Sequence, residues 1–207
     1  MKQAGDFQTR IGKSIQASIS VKQALLNDSR IVAVIAKVGE TILAAFRQGN
    51  KLMLFGNGGS ASDAQHIASE FVGRFAFHRA ALPAISLGVN GSCLTAIGND
   101  YGFDHVFTRQ IEALGRAGDV AVGISTSGNS GNVLQALATA KKMGLHTIAL
   151  TGQTGGKLRD SGDVDCCICA PTDETPRIQE CHILIGHVIC ELVEQELFDE
   201  KGRVPGS

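Results

Sequence analysis

The 207-residue sequence has almost no net charge, with 19 Lys and Arg set against 20 Asp and Glu for a formal balance of −1. So weak a field recruits neither nucleic acid nor an anionic membrane surface. No apolar run approaches the length that spans a bilayer, and the opening Met1-Lys2-Gln3-Ala4-Gly5-Asp6 lacks the apolar segment of a secretory signal. A cytoplasmic location is expected. The sequence lacks the two C-x-x-C pairs of a four-cysteine zinc site. Cys166, Cys167 and Cys169 lie in an apolar strand pattern, and Cys181 and Cys190 sit among helix residues. They read as free buried thiols, because disulfides are rare in the cytosol. No linker or low-complexity stretch divides the chain, and 43% hydrophobic residues over this length supports one well-buried domain.

The patterning that is present predicts helices over about 8–26 and 29–47, then an alternation. Strands are expected near 51–55, 83–88, 119–124, 146–151 and 164–169, with helical segments between them and a last helix over about 177–197. Alternating strands and helices imply an α/β fold: a five-stranded parallel sheet flanked by helices on both faces, here with an N-terminal helical extension. Residues 1–48 are expected to supply helices for oligomer packing, 49–200 the α/β core, and 201–207 a frayed tail. Ligands of such sheets sit at the carboxyl ends of the strands.

Two loops at that edge carry unusual chemistry. In Leu52-Met53-Leu54-Phe55-Gly56-Asn57-Gly58-Gly59-Ser60 an apolar run breaks into glycines and a hydroxyl before helical spacing resumes. Backbone N–H groups and the positive end of a helix dipole then face whatever lies over the loop, a geometry that binds phosphate. After Asp119 to Ile124 comes Ser125-Thr126-Ser127-Gly128-Asn129-Ser130, with four hydroxyls in six residues. Hydroxyl donors suit phosphomonoester oxygens without adding charge. Gly56-x-Gly58-x-x-Ala61 also fits the looser dinucleotide fingerprint, but the acidic residue wanted about 20 positions later is missing. The loop has no P-loop lysine either, so both nucleotide readings lose ground.

One turn into the following helix, His66 and Glu70 are four residues apart and share a face, and a further step of four reaches Arg74. Glu70 is a candidate base for removing a proton beside a carbonyl, with Arg74 placed to orient it or to touch substrate. On the last helix Ile178, Cys181, Ile185, Ile189 and Val193 form an apolar stripe, and Gln179 and His187 lie off it.

Gly56-Asn57-Gly58-Gly59-Ser60, Gln65-His66, Asn99-Asp100, Gly123 to Ser130, Leu150-Thr151-Gly152 and Arg177-Ile178-Gln179-Glu180, in this order, resemble the sugar isomerase (SIS) domain family over nearly the whole chain. The nearest likeness is to bacterial isomerases of phosphorylated heptoses. The resemblance implies conversion of sedoheptulose 7-phosphate to D-glycero-D-manno-heptose 7-phosphate, the first step towards ADP-heptose and the lipopolysaccharide core. It implies Glu70 and His187 as the acid/base pair and a zinc ion held by His66, Glu70, Gln179 and His187. For the substrate it implies contacts from Asn57, Gly58, Gly59, Ser60, Glu70, Arg74, Asn99, Asp100, Ser125, Thr126, Ser127, Ser130 and Gln179. The same family includes a replication-initiation adapter without the activity, which lacks the Glu and the last His; an adapter, or an isomerase or sensor of another sugar phosphate, is the alternative. Pro176 departs from the heptose enzymes, which tend to carry an acidic residue there; Asp173 and Glu174 are near.

Gln179 and His187 are eight residues apart, about 12 Å along a helix and roughly 80° around it, so one ion would strain to bind both from one straight helix. Either the helix breaks near Gly186, or neighbouring subunits share the site. The second fits the family's tetrameric habit, and it predicts that Glu70 and His187 defects on different chains complement one another.

Overall fold

The computed structural model describes residues 4–199. The tail expected over 201–207 lies outside them. Eight helices alternate with five strands: α1 (Ala4–Asn27), α2 (Ser29–Arg47), β1 (Leu52–Gly56), α3 (Gly59–Val72), β2 (Ala84–Ser86), α4 (Gly91–Tyr101), α5 (Thr108–Leu114), β3 (Val120–Ser125), α6 (Gly131–Lys142), β4 (His146–Thr151), α7 (Gly156–Asp160), β5 (Cys166–Cys169) and α8 (Thr175–Leu197). The expected α/β architecture is therefore present. Local chemistry marks several of the boundaries. The Asp28 carboxylate caps α2 by accepting from the N–H groups of Arg30 and Ile31. Pro176 sits in the first turn of α8, where a missing N–H costs nothing, which accounts for a proline at that position.

All four strand pairings are parallel, in the order β2-β1-β3-β4-β5. The chain leaves β1 for β2 on one side and returns to β3 on the other, so β1 and β3 flank the switch point where such sheets bind ligands. β1 and β3 are buried along their whole length, because helices cover both faces. One face packs against α2, α3 and α8 through Val38, Ile42, Ile67, Phe71, Ile178, Ile185 and Ile189; the other meets α5 and α6 through Ile111, Val133 and Leu137. The apolar stripe expected on α8 is wholly buried.

α8 buries two polar side chains, His182 and Glu194. His182 is fully buried, with Nε2 3.1 Å from the Thr151 carbonyl at the end of β4 and Nδ1 without a partner. A carbonyl only accepts, so Nε2 carries the proton. Burial holds the imidazole down to about 4, against the pull of that hydrogen bond, so the ring stays neutral in the fold.

α8 is one unbroken helix from Thr175 to Leu197, which overturns the break proposed at Gly186. The glycine has another reason. A Cβ there would stand 2.5 Å from Ile67 Cδ1, so its absence lets α8 lie directly against α3. The two helices run side by side, Gln179 beside Gly59, Gly186 beside Ile67, and His187 beside His66.

Candidate active site

The parallel sheet brings the two hydroxyl-bearing loops together at one edge, since Gly56 of β1 pairs with Ile124 of β3 and both loops leave from the next residues. A residue that composition did not single out ties them. Asn57 and Asn132 exchange reciprocal side-chain amide hydrogen bonds, both 2.9 Å, fixing the first loop to the N-terminus of α6. Ser60 and Ser125 are buried, and the Ser125 and Ser130 hydroxyls are 2.9 Å apart. Ser127 serves the turn itself, its hydroxyl accepting from the Asn129 N–H. The signal for Asn132 was available in the sequence, as a polar residue in the first turn after the Ser-rich loop, but only the strand order shows what it reaches.

Gln179 completes this end of the site. Its side-chain amide lies where a Cβ at Gly59 would have to stand, so the glycine makes room for it over the loop. In its own chain Gln179 therefore lies with the residues of the first loop.

About two turns along α3 is a second cluster. His66 Nε2 is 3.1 Å from Glu70 Oε1 and 3.2 Å from His187 Nε2, and one ligand atom from each of the three residues falls within a 4.8 Å span. His66 and Glu70 arrive from adjacent turns of α3, and His187 arrives from α8 through the close approach at Gly186. Two ring nitrogens facing one another at this distance need a proton or a cation between them. Two imidazoles and a carboxylate form a borderline N/O donor set that suits zinc, whose ligands at about 2.0–2.1 Å in a tetrahedron stand about 3.4 Å apart. Phe75 closes one side, its ring centroid 5.8 Å from that of His187. Asp63, one turn before His66, has a carboxylate oxygen buried without a partner, and burial raises its carboxyl against the opposing influence of His66. It is a further polar group at the site that sequence reasoning passed over.

Three expectations change. Arg74 does not continue the His66–Glu70 face, because α3 ends at Val72 and the chain turns away at Gly73; its Nη1 instead lies 3.5 Å from the Ala76 carbonyl. Asn99 and Asp100 lie exposed at the end of α4, with the Asn99 amide donating to Asp100 at 2.8 Å, and among the described residues neither side chain forms a hydrogen bond or ion pair with either cluster. Glu70 and His187 come together within one chain, so they need no second subunit. Glu70→Gln and His187→Ala chains refolded together should accordingly give no more activity than each alone, with hybrid formation checked by native mass spectrometry. Recovery above that background would mean that the catalytic pair is split between chains.

The residues that hold this cluster in place lie on neither motif. Arg79 and Glu194 form a buried ion pair, Nε to Oε1 2.9 Å, with side chains 0% and 1% exposed. Arg79 also donates to the carbonyls of Glu70 at 2.9 Å and Phe71 at 2.7 Å, and Glu194 accepts from the Phe75 and Ala76 N–H groups at 2.9 and 2.7 Å. The carbonyls left open at the end of the helix that bears Glu70 are thus bound to the helix that bears His187.

An SIS domain model matches residues 19–152. With the switch-point loops in place beside a His-Glu-His cluster, the chain belongs to the SIS domain family. Within it the similarity narrows to phosphoheptose isomerases. The chain is 52% identical over 191 residues to one from Aneurinibacillus thermoaerophilus, covering 92% of this chain and 96% of that one. The structure superposes on the phosphoheptose isomerase of Neisseria gonorrhoeae with a TM-score of 0.84 at 43% identity, covering 91% of this chain and 99% of the other. For the one from Francisella tularensis the TM-score is 0.86 at 35% identity, covering 91% and 98%.

Proposed function

We propose that this chain is an aldose–ketose isomerase of a phosphorylated ketoheptose, converting sedoheptulose 7-phosphate to D-glycero-D-manno-heptose 7-phosphate on the way to envelope heptose precursors. The observation that carries the reaction is the convergence of Glu70, His66 and His187 about two helical turns from the paired loops. Ser60 and His66 are separated by about 9 Å of helical rise, a distance that a seven-carbon chain bridges. The substrate's phosphate is bound at the loops by Ser60, Ser125, Thr126 and Ser130, and its carbonyl end reaches the cluster.

There the Glu70 carboxylate removes a proton from C1 of the ketose, and His187 protonates O2 as the enediol forms. His187 then withdraws the proton from O1, and Glu70 returns one to C2, which completes the aldose. A carboxylate has two oxygens, so Glu70 can face His66 with one and the substrate carbon with the other. His66, Glu70 and His187 would hold a zinc ion, which supplies Lewis-acid polarisation of the carbonyl oxygen when bound. Gln179, eight residues from His187 on a straight helix, would join that ion's shell only from a neighbouring subunit.

A homo-oligomer, a tetramer by family habit, is supported by α1, where Phe7, Ile11, Ile15, Ile19 and Leu26 are each more than half exposed and four of them repeat every fourth residue. A stripe of this kind fits a second copy of itself. Among the described residues no helix is long and apolar enough to cross a membrane.

The test is to offer several ketose phosphates to the protein, with and without a chelator, and to assay aldose product. Turnover is expected for sedoheptulose 7-phosphate, falling at least about 10-fold on chelation and returning with zinc. No turnover of any ketose phosphate would overturn the reading, and chelator-insensitive turnover would remove the metal from it.

A further inference from the structure

β5 forms one edge of the sheet, and strand alternation sends Cys166 and Ile168 into the core while Cys167 and Cys169 share the opposite face, each half-buried. Their sulfurs are 3.8 Å apart. The Thr151 hydroxyl of the neighbouring strand lies 3.3 Å from Cys169 Sγ and 3.7 Å from Cys167 Sγ. Both cysteines line a cavity of about 370 Å³, partly open to solvent, together with Asp28, Arg30, Gln153 and Arg159. None of these residues belongs to the phosphate loops or to the His66–Glu70–His187 cluster.

Two thiols so close can be joined to each other or can share a ligand, and geometry decides between the two. Residues i and i+2 of a strand are separated by about 6.6 Å of rise, at the upper limit of the Cα separation that a disulfide tolerates, so oxidation would have to bend β5. Two thiolates bonded at about 2.3 Å to one tetrahedral ion stand about 3.8 Å apart, the separation already present. We propose that Cys167 and Cys169 form a second ligand site, a two-thiolate chelate for a thiophilic divalent cation of the zinc class. Solvent or a small anion drawn from the cavity fills the remaining positions.

The surroundings favour it. The Cys167 thiol donates to Cys169 and holds that sulfur below its ordinary range against the opposing effect of burial, with Thr151 and Arg159 adding to the shift; Cys167 is raised in turn. The facing charged groups are Arg159, Arg30 and Asp28. The two arginines favour an anionic ligand, such as chloride or a carboxylate, on the ion's open side.

The test uses Zn²⁺ and Cd²⁺ on the full chain after chelator dialysis. In a His66→Ala/His187→Ala variant, which disables the other cluster, Cd²⁺ should produce sulfur-to-cadmium charge-transfer absorption at one ion per chain. Cys167→Ser and Cys169→Ser should each weaken binding at least about 100-fold and remove that band, whereas Cys181→Ser, on α8, leaves it unchanged. A measurement on the unmutated chain guards against a variant that misfolds: Zn²⁺ should protect Cys167 and Cys169 together from alkylation, read peptide by peptide by mass spectrometry. Absence of the band in the His variant, its persistence when both cysteines are replaced, or unprotected alkylation at saturating Zn²⁺ would each overturn the site.

Discussion

Glu70→Gln should lower kcat by at least about 100-fold while phosphosugar binding stays within a few-fold of the native protein. The amide keeps the shape of the carboxylate and can still meet His66, which lies 3.1 Å from Glu70 Oε1, but it cannot take a proton from carbon. The backbone at this position is held independently, since the Glu70 carbonyl accepts from Arg79. The fold should therefore survive the change. Steady-state kinetics on sedoheptulose 7-phosphate, with binding measured by calorimetry, separates the two effects. A kcat within a few-fold of native would remove Glu70 from the chemistry, and lost binding with kcat unchanged would make it a substrate clamp.

The largest loss of stability is expected from Glu194→Ala, at about 3–5 kcal/mol, because it leaves the Arg79 guanidinium buried without a counter-charge. It also strips the Phe75 and Ala76 N–H groups of their acceptor. Replacing both partners, as in Arg79→Met/Glu194→Leu, should cost less than the single change, since no charge remains buried. Thermal or denaturant unfolding decides this, and a double variant less stable than Glu194→Ala would show that the pair's hydrogen bonds outweigh its charge.

The same pair contributes a pH dependence whose sign follows from its surroundings. Burial alone would raise the Glu194 carboxyl, but the Ala76 and Phe75 N–H groups and Arg79 hold it below its ordinary value. Its contribution is present at neutral pH and is lost as acid takes the carboxylate through its lowered folded value. His182 acts earlier: the unfolded chain takes up a proton near pH 6.5 while the buried ring waits until about 4, so stability falls across that window.

Local pattern carried much of this molecule. α2 spans Ser29–Arg47 and β4 spans His146–Thr151, as periodicity and capping predict, because both are decided by neighbours in sequence. β2 is shorter than its apolar run, covering only Ala84–Ser86 at the sheet edge, although β1 continues to Gly56 and the Leu87 N–H still donates to the Leu54 carbonyl at 2.9 Å. Arg74 misled because helical spacing projects a shared face only while the helix continues, and α3 ends at Val72.

What the sequence determined by itself was the set of chemical parts: two strand-to-helix turns rich in glycine and hydroxyls, a His and a Glu one turn apart, and an amphipathic last helix. Each rests on spacing within one element, which backbone geometry translates directly into a shared face or a free N–H group. Tertiary structure alone decided which parts meet. Gly186, with no side chain, lets α8 close onto Ile67 and carry His187 to His66 within the same chain. Crossover connections set β1 beside β3, so Asn57 can reach Asn132. Arg79 and Glu194, 115 residues apart in sequence, find each other only because the core excludes water around two charges that must then be paired.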